Sequence, residues 1–146
     1  MVSPSSNGAD GDQMETAKKI RVVVADDSTI YRNNVCLMIR LQKDMEVVAE
    51  AENGWSAIEQ VQTHKPDILL IDIRLPFIDG IHATREIASR FPDVKVIGMS
   101  AHDDCDYGDK LRQSGAWGYL DKACVLGDLL STIRKACSVA IVPPTA

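Results

Sequence analysis

The segment Asp67-Ile-Leu-Leu-Ile-Asp72 is a short apolar run that closes on an aspartate, and segments of this kind decide the fold. Four more β-rich apolar runs occur along the chain, at Ile20–Ala25, Met45–Ala51, Lys95–Ser100 and, more weakly, Gly118–Asp121. Short apolar runs separated by polar stretches are typical of buried strands. The sequence therefore predicts five strands, of which Ile68–Asp72 is the third.

The stretches between these strands are long enough for helices and carry apolar residues at helical spacing. In the last stretch the apolar stripe comprises Leu126, Leu129, Leu130, Ile133 and Cys137, with no helix signal after Ser138. Between Gly80 and Phe91 it comprises Ala83, Thr84, Ile87 and Phe91, before Pro92 ends the helix. After Ser28, one apolar face is predicted from Ile30, Leu37, Met38 and Leu41.

Five repeats of strand then helix predict an α/β fold in which helices cover both faces of a parallel sheet. Right-handed crossovers favour a flavodoxin-like (βα)5 doubly wound sheet with strand order 2-1-3-4-5. The predicted helix from Asp103 to Gln113 is poorer than the others, because Gly108 lies inside it and few apolar residues anchor it. We expect a loosely held element there, which suits a switch.

The composition predicts one soluble globular domain. The chain has 146 residues, of which 45% are hydrophobic and 25% charged, and its net charge of −5 argues against broad nucleic-acid binding. The sequence has no signal peptide pattern and no apolar run long enough to span a membrane, and its four cysteines lack C-x-x-C spacing, so we expect free thiols in a reducing cytoplasm. We expect a disordered leader at 1–18, one domain at 19–140 and the start of a linker or tail at 141–146.

Polar side chains follow the predicted strands where each one ends. These residues are Asp26 and Asp27 after the first strand, Asp72 on the third, Ser100 on the fourth, and Asp121 and Lys122 after the fifth. In an open parallel sheet the carboxyl ends of the strands form the ligand-binding edge, so these groups should converge there.

Crowding Asp26, Asp27 and Asp72 is costly, because each carboxylate raises the pKa of the others. A divalent cation relieves the repulsion, and carboxylate oxygens with water suit Mg²⁺. The ammonium of Lys122 and a bound Mg²⁺ would balance the three negative charges. Such a site suits phosphoryl transfer to a carboxylate nucleophile.

Each residue also has a simpler explanation when it is taken alone. The pair Asp26-Asp27 could cap a helix, Asp72 could be a turn residue, and Ser100 could make a local hydrogen bond. Lys122 could be a solvated surface charge. The functional interpretation depends on all of them occurring at successive strand ends.

With these positions in place, residues 19–140 resemble the receiver domain of two-component response regulators. The resemblance rests on Arg21-Val-Val-Val-Ala-Asp-Asp-Ser28, Asp67-Ile-Leu-Leu-Ile-Asp-Ile-Arg-Leu-Pro76 with Asp79-Gly80, Val96-Ile-Gly-Met-Ser-Ala101 and Gly115-Ala-Trp-Gly-Tyr-Leu-Asp-Lys122. The first and last segments are most similar to the NarL/FixJ-type branch, whose members usually carry a DNA-binding helix-turn-helix domain. DNA would then be contacted only through an output domain that these 146 residues do not contain. A truncated chain and a stand-alone receiver both remain open.

The resemblance implies a role for each site residue. Asp72 would accept the phosphoryl group from a sensor histidine kinase or a phosphotransfer protein. Mg²⁺ would be held by Asp27, by Asp72, by the backbone carbonyl of Arg74 and, through a water, by Asp26. Lys122 and Ser100 would contact the phosphoryl oxygens, and Tyr119 would be the aromatic residue that turns inward when Ser100 moves. The resemblance also implies a possible homodimer on phosphorylation.

Two positions depart from the family pattern, and two more lie where they could tune the reaction. Phe77 stands where glycine is common, and Ala123 follows Lys122 where many receivers carry a cis-linked proline. Arg74 and His102 occupy positions that tune dephosphorylation in the family, although both are equally explained as solvated loop residues. We predict that they alter the access of water to the phosphoryl group.

Three other protein classes share some of these features. A haloacid-dehalogenase-like phosphatase would need an aspartate two residues after Asp72 as its general acid, and that position is Arg74. A flavodoxin-like or dinucleotide-binding module would need a glycine-rich first turn, whereas this turn is acidic. A degenerate receiver that only binds partners remains open, although the chain has the five site residues that argue against it, namely Asp26, Asp27, Asp72, Ser100 and Lys122. We therefore expect a stoichiometric switch and not an enzyme with turnover.

Overall fold

The computed structural model describes residues 18–101 and 105–141. Its strands are β1 (Ile20–Ala25), β2 (Met45–Ala51), β3 (Ile68–Asp72), β4 (Lys95–Ser100) and β5 (Gly118–Asp121), which confirms the five predicted strands. All neighbouring pairs are parallel and the order is β2-β1-β3-β4-β5, so the predicted topology is also confirmed.

The helices are α1 (Thr29–Arg40), α2 (Gly54–His64), α3 (Gly80–Arg90), α4 (Cys105–Gln113) and α5 (Val125–Ile141), and a 3-10 turn at Lys122–Cys124 precedes α5. Three of them begin at a polar N-cap, because the side chains of Ser28, Asn53 and Asp79 accept a hydrogen bond from a backbone N–H three residues later. Within residues 18–101 and 105–141, none of the helices combines the length and apolar character needed to cross a bilayer.

The sheet separates two apolar cores, as alternating side chains of buried strands require. One core joins Val22 and Val24 of β1 to the buried residues of α1 and α5. The other joins Val23 and Ala25 of β1 to the buried residues of α2 and α3. Strand β3 lies in the middle of the sheet and is buried along its whole length, which fixes Asp72 at the centre of the carboxyl edge.

Met38 of the apolar face predicted for α1 packs against the core, but the prediction was wrong for the other three residues. Ile30, Leu37 and Leu41 are 77%, 57% and 71% exposed, whereas Val35, Cys36 and Ile39 are buried against the sheet. The reason is Arg32, which shares the sheet-facing side. Its guanidinium donates to the carbonyl oxygen of Asp26 at 2.6 Å and pairs with Glu50 of β2 at 3.0 Å. A pattern of apolar residues alone cannot identify the buried face of a helix when an arginine on that face binds the neighbouring strands.

The last two helices also differ from the predicted bounds. Helix α5 continues past Ser138 to Ile141, because Val139, Ala140 and Ile141 can all adopt a helical backbone. A helix usually ends at or before the residue that precedes a proline, and the next proline here is Pro143. Helix α4 begins at Cys105, and the start predicted at Asp103 lies outside the described residues. The fully buried Leu111 anchors α4 against β4, where Gly98 leaves room for it: a Cβ there would lie 2.4 Å from a methyl group of Leu111.

The expected leader lies almost entirely outside the described residues, as do residues 142–146.

Candidate functional site

The backbone after β1 fixes Asp26 at the carboxyl edge of the sheet. The N–H of Asp26 donates to the carbonyl oxygen of Ala51 at 3.0 Å, so the residue continues the pairing of β1 with β2. The N–H of Ser28 donates to Asp26 Oδ1 at 2.8 Å and closes a tight turn before α1. Asp26 is fully buried, whereas Asp27 is exposed at the mouth of the cleft. The two adjacent carboxylates therefore face very different surroundings.

Asp72 closes β3 and is held by the turn that follows. The N–H of Arg74 donates to Asp72 Oδ1 at 3.0 Å. The start of α3 lies against the same backbone, because a Cβ on Gly80 would approach the carbonyl oxygen of Asp72 to 2.3 Å. Glycine is thus required at position 80, and Asp79 before it caps α3. The Asp79-Gly80 pair seats the helix directly on the strand end that carries Asp72.

Lys122 links the two buried carboxylates. Its Nζ lies 2.7 Å from Asp26 Oδ2 and 3.1 Å from Asp72 Oδ2, and only 15% of its side chain is exposed. The simpler explanation of Lys122 as a solvated surface charge is therefore wrong.

The three acidic residues have an arrangement that fits a divalent cation. Asp26, Asp27 and Asp72 each offer a carboxylate oxygen, and these oxygens lie within 4.8 Å of one another. Asp26 Oδ2 is buried and has no aligned hydrogen bond among the described residues, although the ammonium of Lys122 is close to it. A hard cation with its waters would satisfy these oxygens. The residues present thus fit Mg²⁺.

Burial and neighbouring charges shift the pKa values of the paired groups. Burial raises the pKa of Asp26, the contacts with Lys122 and the Ser28 N–H lower it in part, and the charge of Asp72 raises it again, so that the net change is upward. For Lys122, burial lowers the pKa, but the ion pairs with Asp26 and Asp72 outweigh burial and the net change is upward. Lys122 therefore stays protonated, and the cleft holds a fixed positive charge between two carboxylates.

Three other predicted site residues lie on β4, on β5 and in the loop after β3. Ser100 is 2% exposed at the end of β4 and is paired in register with Asp121 of β5. Tyr119 lies on β5, and a Cβ placed on Gly108 of α4 would lie 3.5 Å from its ring. Arg74 is exposed on the loop after β3, and His102 lies outside the described residues. The peptide bond between Lys122 and Ala123 is trans.

The comparison with known families decides the family of this chain. The response regulator receiver domain family matches residues 22–134, which is most of the chain. The chain belongs to the response regulator receiver family. This receiver domain has the parallel order and the edge cluster of acidic residues that its sequence motifs predicted.

Curated relatives of this receiver domain are response regulators. It is 38% identical to the transcriptional regulatory protein DegU of Brevibacillus brevis over 116 residues, and this aligned stretch covers 80% of this chain and 49% of that protein. It is 35% identical over 116 residues to the oxygen regulatory protein NreC of Staphylococcus haemolyticus, covering 79% of this chain and 54% of the relative. The chain thus spans about half the length of the curated relatives it matches.

Solved structures agree with this assignment. The signal receiver domain of the putative response regulator NarL from Mycobacterium tuberculosis is 32% identical, with a TM-score of 0.73 over 80% of this chain and 98% of that one. The response regulator domain of CheB from Thermotoga maritima is 30% identical, with a TM-score of 0.77 over 87% of this chain and 100% of that one. The similarity to NarL- and DegU-type proteins confirms the branch that the sequence motifs indicated.

Sequence reasoning missed one residue of the receiver site. The Nζ of Lys122 lies 4.3 Å from the centroid of the Tyr31 ring, in the first turn of α1. Burial raises the pKa of the Tyr31 hydroxyl, and Asp26, Asp72 and Asp121 raise it further. The available signal was positional: side chains of a helix tilt towards its N-terminus, so a first-turn residue of α1 reaches over the strand ends.

Phe77 has an unusual backbone conformation beside the receiver site. Its φ is +70°, in the left-handed region that favours glycine, and its side chain is 81% exposed. A phenylalanine in this conformation costs about 1 kcal/mol or more relative to glycine. The turn keeps the backbone conformation that a glycine would give it, and adds an exposed aromatic ring five residues after Asp72.

Proposed function

We propose that this receiver domain is a stoichiometric phosphorylation switch in which Asp72 accepts a phosphoryl group from a histidine kinase or a phosphotransfer protein. The observation that carries the proposal is the position of Lys122, which lies between Asp26 and Asp72 beside three oxygens that suit a cation. Membership of the receiver family supports the same chemistry.

The chemistry forms one bond and breaks one. A carboxylate oxygen of Asp72 attacks phosphorus, the N–P bond of a phosphohistidine breaks, and the imidazole nitrogen keeps the electron pair and takes up a proton. The N–H of Arg74 and the ammonium of Lys122 hold the two oxygens of Asp72 in place for this attack. Lys122 and Ser100 then face the charge of the transferred group.

Mg²⁺ fits the acidic residues of the cleft. Asp27, Asp72 and the backbone carbonyl of Arg74 would hold it, with Asp26 acting through a water. When bound, it supplies positive charge that neutralises the phosphoryl oxygens. Arg74 and His102 would set how readily water reaches the product, and Tyr119 would follow Ser100 inward, next to α4.

The surface beside the cleft suits a protein phosphodonor. Ile30 at the start of α1 and Phe77 after β3 are large, apolar and exposed, and Leu37 and Leu41 continue the stripe along α1. Exposed apolar patches beside a reactive site are typical of protein contacts. The same proposal places the chain in the cytoplasm, where a kinase's phosphorylated domain would meet it.

The curated relatives support a role in transcription regulation. Because DegU is a transcriptional regulatory protein of which the matched residues cover 49%, we propose that phosphorylation here controls an output domain that binds DNA and favours a homodimer. Light scattering of this chain before and after phosphorylation tests the dimer: an unchanged monomer mass would contradict it.

Intact-mass spectrometry tests the central proposal. After incubation with Mg²⁺ and acetyl phosphate, we expect one phosphate on the wild-type chain and none on Asp72→Asn. Asp93→Asn is the matched control, since Asp93 is an exposed aspartate at the opposite edge of the sheet, and it should be labelled like the wild type. An unlabelled wild type would contradict the proposal and favour a degenerate receiver, and labelling that survives in Asp72→Asn would contradict Asp72 as the acceptor.

A further inference from the structure

The Tyr31 ring has two faces with different surroundings. It packs against the apolar core between the sheet, α1 and α5, and it also covers the ammonium of Lys122, with 4.3 Å between Nζ and the ring centroid. An ammonium at this distance is attracted to the negative face of an aromatic ring, and more strongly when water is excluded. The ring is therefore a third partner of Lys122, beside Asp26 and Asp72.

Lys122 needs such a partner because its other two contacts do not both persist through the reaction. A lysine ammonium is a point charge on a flexible four-carbon chain, and nothing in its own geometry fixes its direction. Before transfer, two carboxylates attract it at 2.7 and 3.1 Å. Once an oxygen of Asp72 is bonded to phosphorus, that carboxylate charge is lost and the new charge lies further out, on the phosphoryl oxygens. The ring contact involves no charge that the reaction removes.

We infer that Tyr31 is a positioning residue, whose ring holds the Lys122 ammonium at the point where the phosphoryl oxygens arrive. This inference rests on the proposed function. The ring prevents Lys122 from following Asp26 deeper into the cleft and from turning out to solvent. It does not touch the reacting atoms, so its effect on transfer passes through Lys122.

The hydroxyl of Tyr31 is not needed for this role. It is buried and has no hydrogen-bond partner among the described residues. Removing a buried hydroxyl that lacks a partner costs little and can stabilise the fold. Phenylalanine at position 31 should therefore keep the ring contact, whereas leucine fills much of the same space and has no aromatic face.

The rate of labelling by acetyl phosphate in the presence of Mg²⁺ shows whether tyrosine, phenylalanine and leucine at position 31 differ in effect. We expect Tyr31→Leu to lower the initial rate by about three- to thirty-fold, the range of a partly desolvated cation–π contact. Tyr31→Phe should restore it to within about twofold of the wild type. In each transfer an oxygen of Asp72 bonds to phosphorus and acetate leaves with the electron pair of the P–O bond.

A second measurement reports the contact without any phosphorylation. The ring current should move the Lys122 ε-methylene proton signal upfield in the wild type and in Tyr31→Phe, and Tyr31→Leu should return it to the ordinary lysine position. Trp117→Leu is the matched control, because Trp117 packs against the same core at the opposite end of β5. It should lower the thermal midpoint and leave the labelling rate unchanged.

The outcomes are distinct. Equal labelling of Tyr31→Leu and the wild type, equal slowing by Tyr31→Phe, equal slowing by Trp117→Leu, or an ε-methylene signal that does not move would each overturn this inference alone. An unlabelled wild type would overturn the proposed function and this inference together.

Discussion

Asp26 is a carboxylate in a fully buried position, and burial penalises its charged form. Its contact with Lys122 compensates only in part, since the net shift of its pKa is upward. The nearby oxygens of Asp27 and Asp72 add repulsion when no cation is bound. The residue is therefore placed for function at the expense of stability.

We predict that Asp26→Asn raises the thermal midpoint at pH 7 in EDTA, because the uncharged amide removes the burial penalty and the repulsion. Mg²⁺ should then raise the midpoint of the wild type more than that of the variant, since ligand binding stabilises the state that binds it. Differential scanning calorimetry with and without Mg²⁺ measures both effects.

Asp93→Asn is the control, because it makes the same chemical change at an exposed position away from the cleft. Its midpoint should respond to Mg²⁺ as the wild type does. A lower midpoint for Asp26→Asn in EDTA would show that the ion pair with Lys122 outweighs the crowding.

The sequence predicted these site residues because each follows a strand whose apolar run is unmistakable. A parallel sheet converts that chain position into a spatial one, so the sequence placed Asp26, Asp72 and Ser100 at the carboxyl edge. The sequence indicated that a first-turn residue of α1 reaches over this edge, but it did not identify Tyr31, because the contact of Tyr31 with Lys122 depends on the rotation of α1. Nor could it show that Phe77 would keep a left-handed backbone.

At the scale of elements, α1 and α4 show what an apolar pattern can and cannot predict. The strand bounds were predicted because each strand is a short apolar run ended by polar residues. The rotation of α1 was not, because Arg32 lies on the sheet-facing side through its contacts with Asp26 and Glu50. Helix α4 has a weaker apolar pattern, and its fully buried Leu111 packs against Gly98 of β4.

A substitution at Gly108 tests whether this glycine is what keeps α4 loosely held. Glycine inside a helix costs about 0.5–1 kcal/mol relative to alanine. A Cβ at this position would lie 3.5 Å from the Tyr119 ring, which is an ordinary contact. We predict that Gly108→Ala raises the free energy of unfolding by about 0.5–1 kcal/mol, slows amide exchange in α4, and reduces the exchange change that phosphorylation causes there.

Gly127→Ala in α5 is the matched control for this variant. A Cβ at Gly127 meets nothing within 4 Å, so the same substitution should raise overall stability without slowing exchange selectively in α4. Urea denaturation and hydrogen exchange by mass spectrometry measure the two effects. Unchanged exchange in α4 of Gly108→Ala would contradict the view that glycine keeps this helix loose.

At the scale of the whole molecule, the wrong prediction for α1 has a consequence for partner binding. The stripe of Ile30, Leu37 and Leu41 is exposed in the part of the chain that the structure describes and begins in the first turn of α1, so it is open to a partner. Trp55 is also exposed, at 61%, but it lies on α2, which packs on the other face of the sheet. The two exposed apolar sites can therefore be tested separately.

We predict that the double variant Leu37→Gln, Leu41→Gln lowers phosphotransfer from a histidine-phosphorylated kinase domain by about tenfold, the loss typical of removing apolar contacts central to an interface. The donor is a kinase domain chosen because it labels the wild-type chain. Labelling by acetyl phosphate should stay at the wild-type rate, since both leucines lie more than two helical turns from Thr29, where α1 begins. Both leucines are exposed, so the free energy of unfolding should change by less than about 0.5 kcal/mol per site.

Trp55→Gln provides the comparison on the opposite face, and it should leave both donors unaffected. The contrast between the two donors is what assigns the stripe to partner binding: acetyl phosphate needs only the cleft, whereas a protein donor must also bury surface around it. If the α1 variant slows both donors equally, the stripe acts through the cleft. If it slows neither, the phosphodonor protein binds elsewhere, and the exposed leucines of α1 serve a different contact.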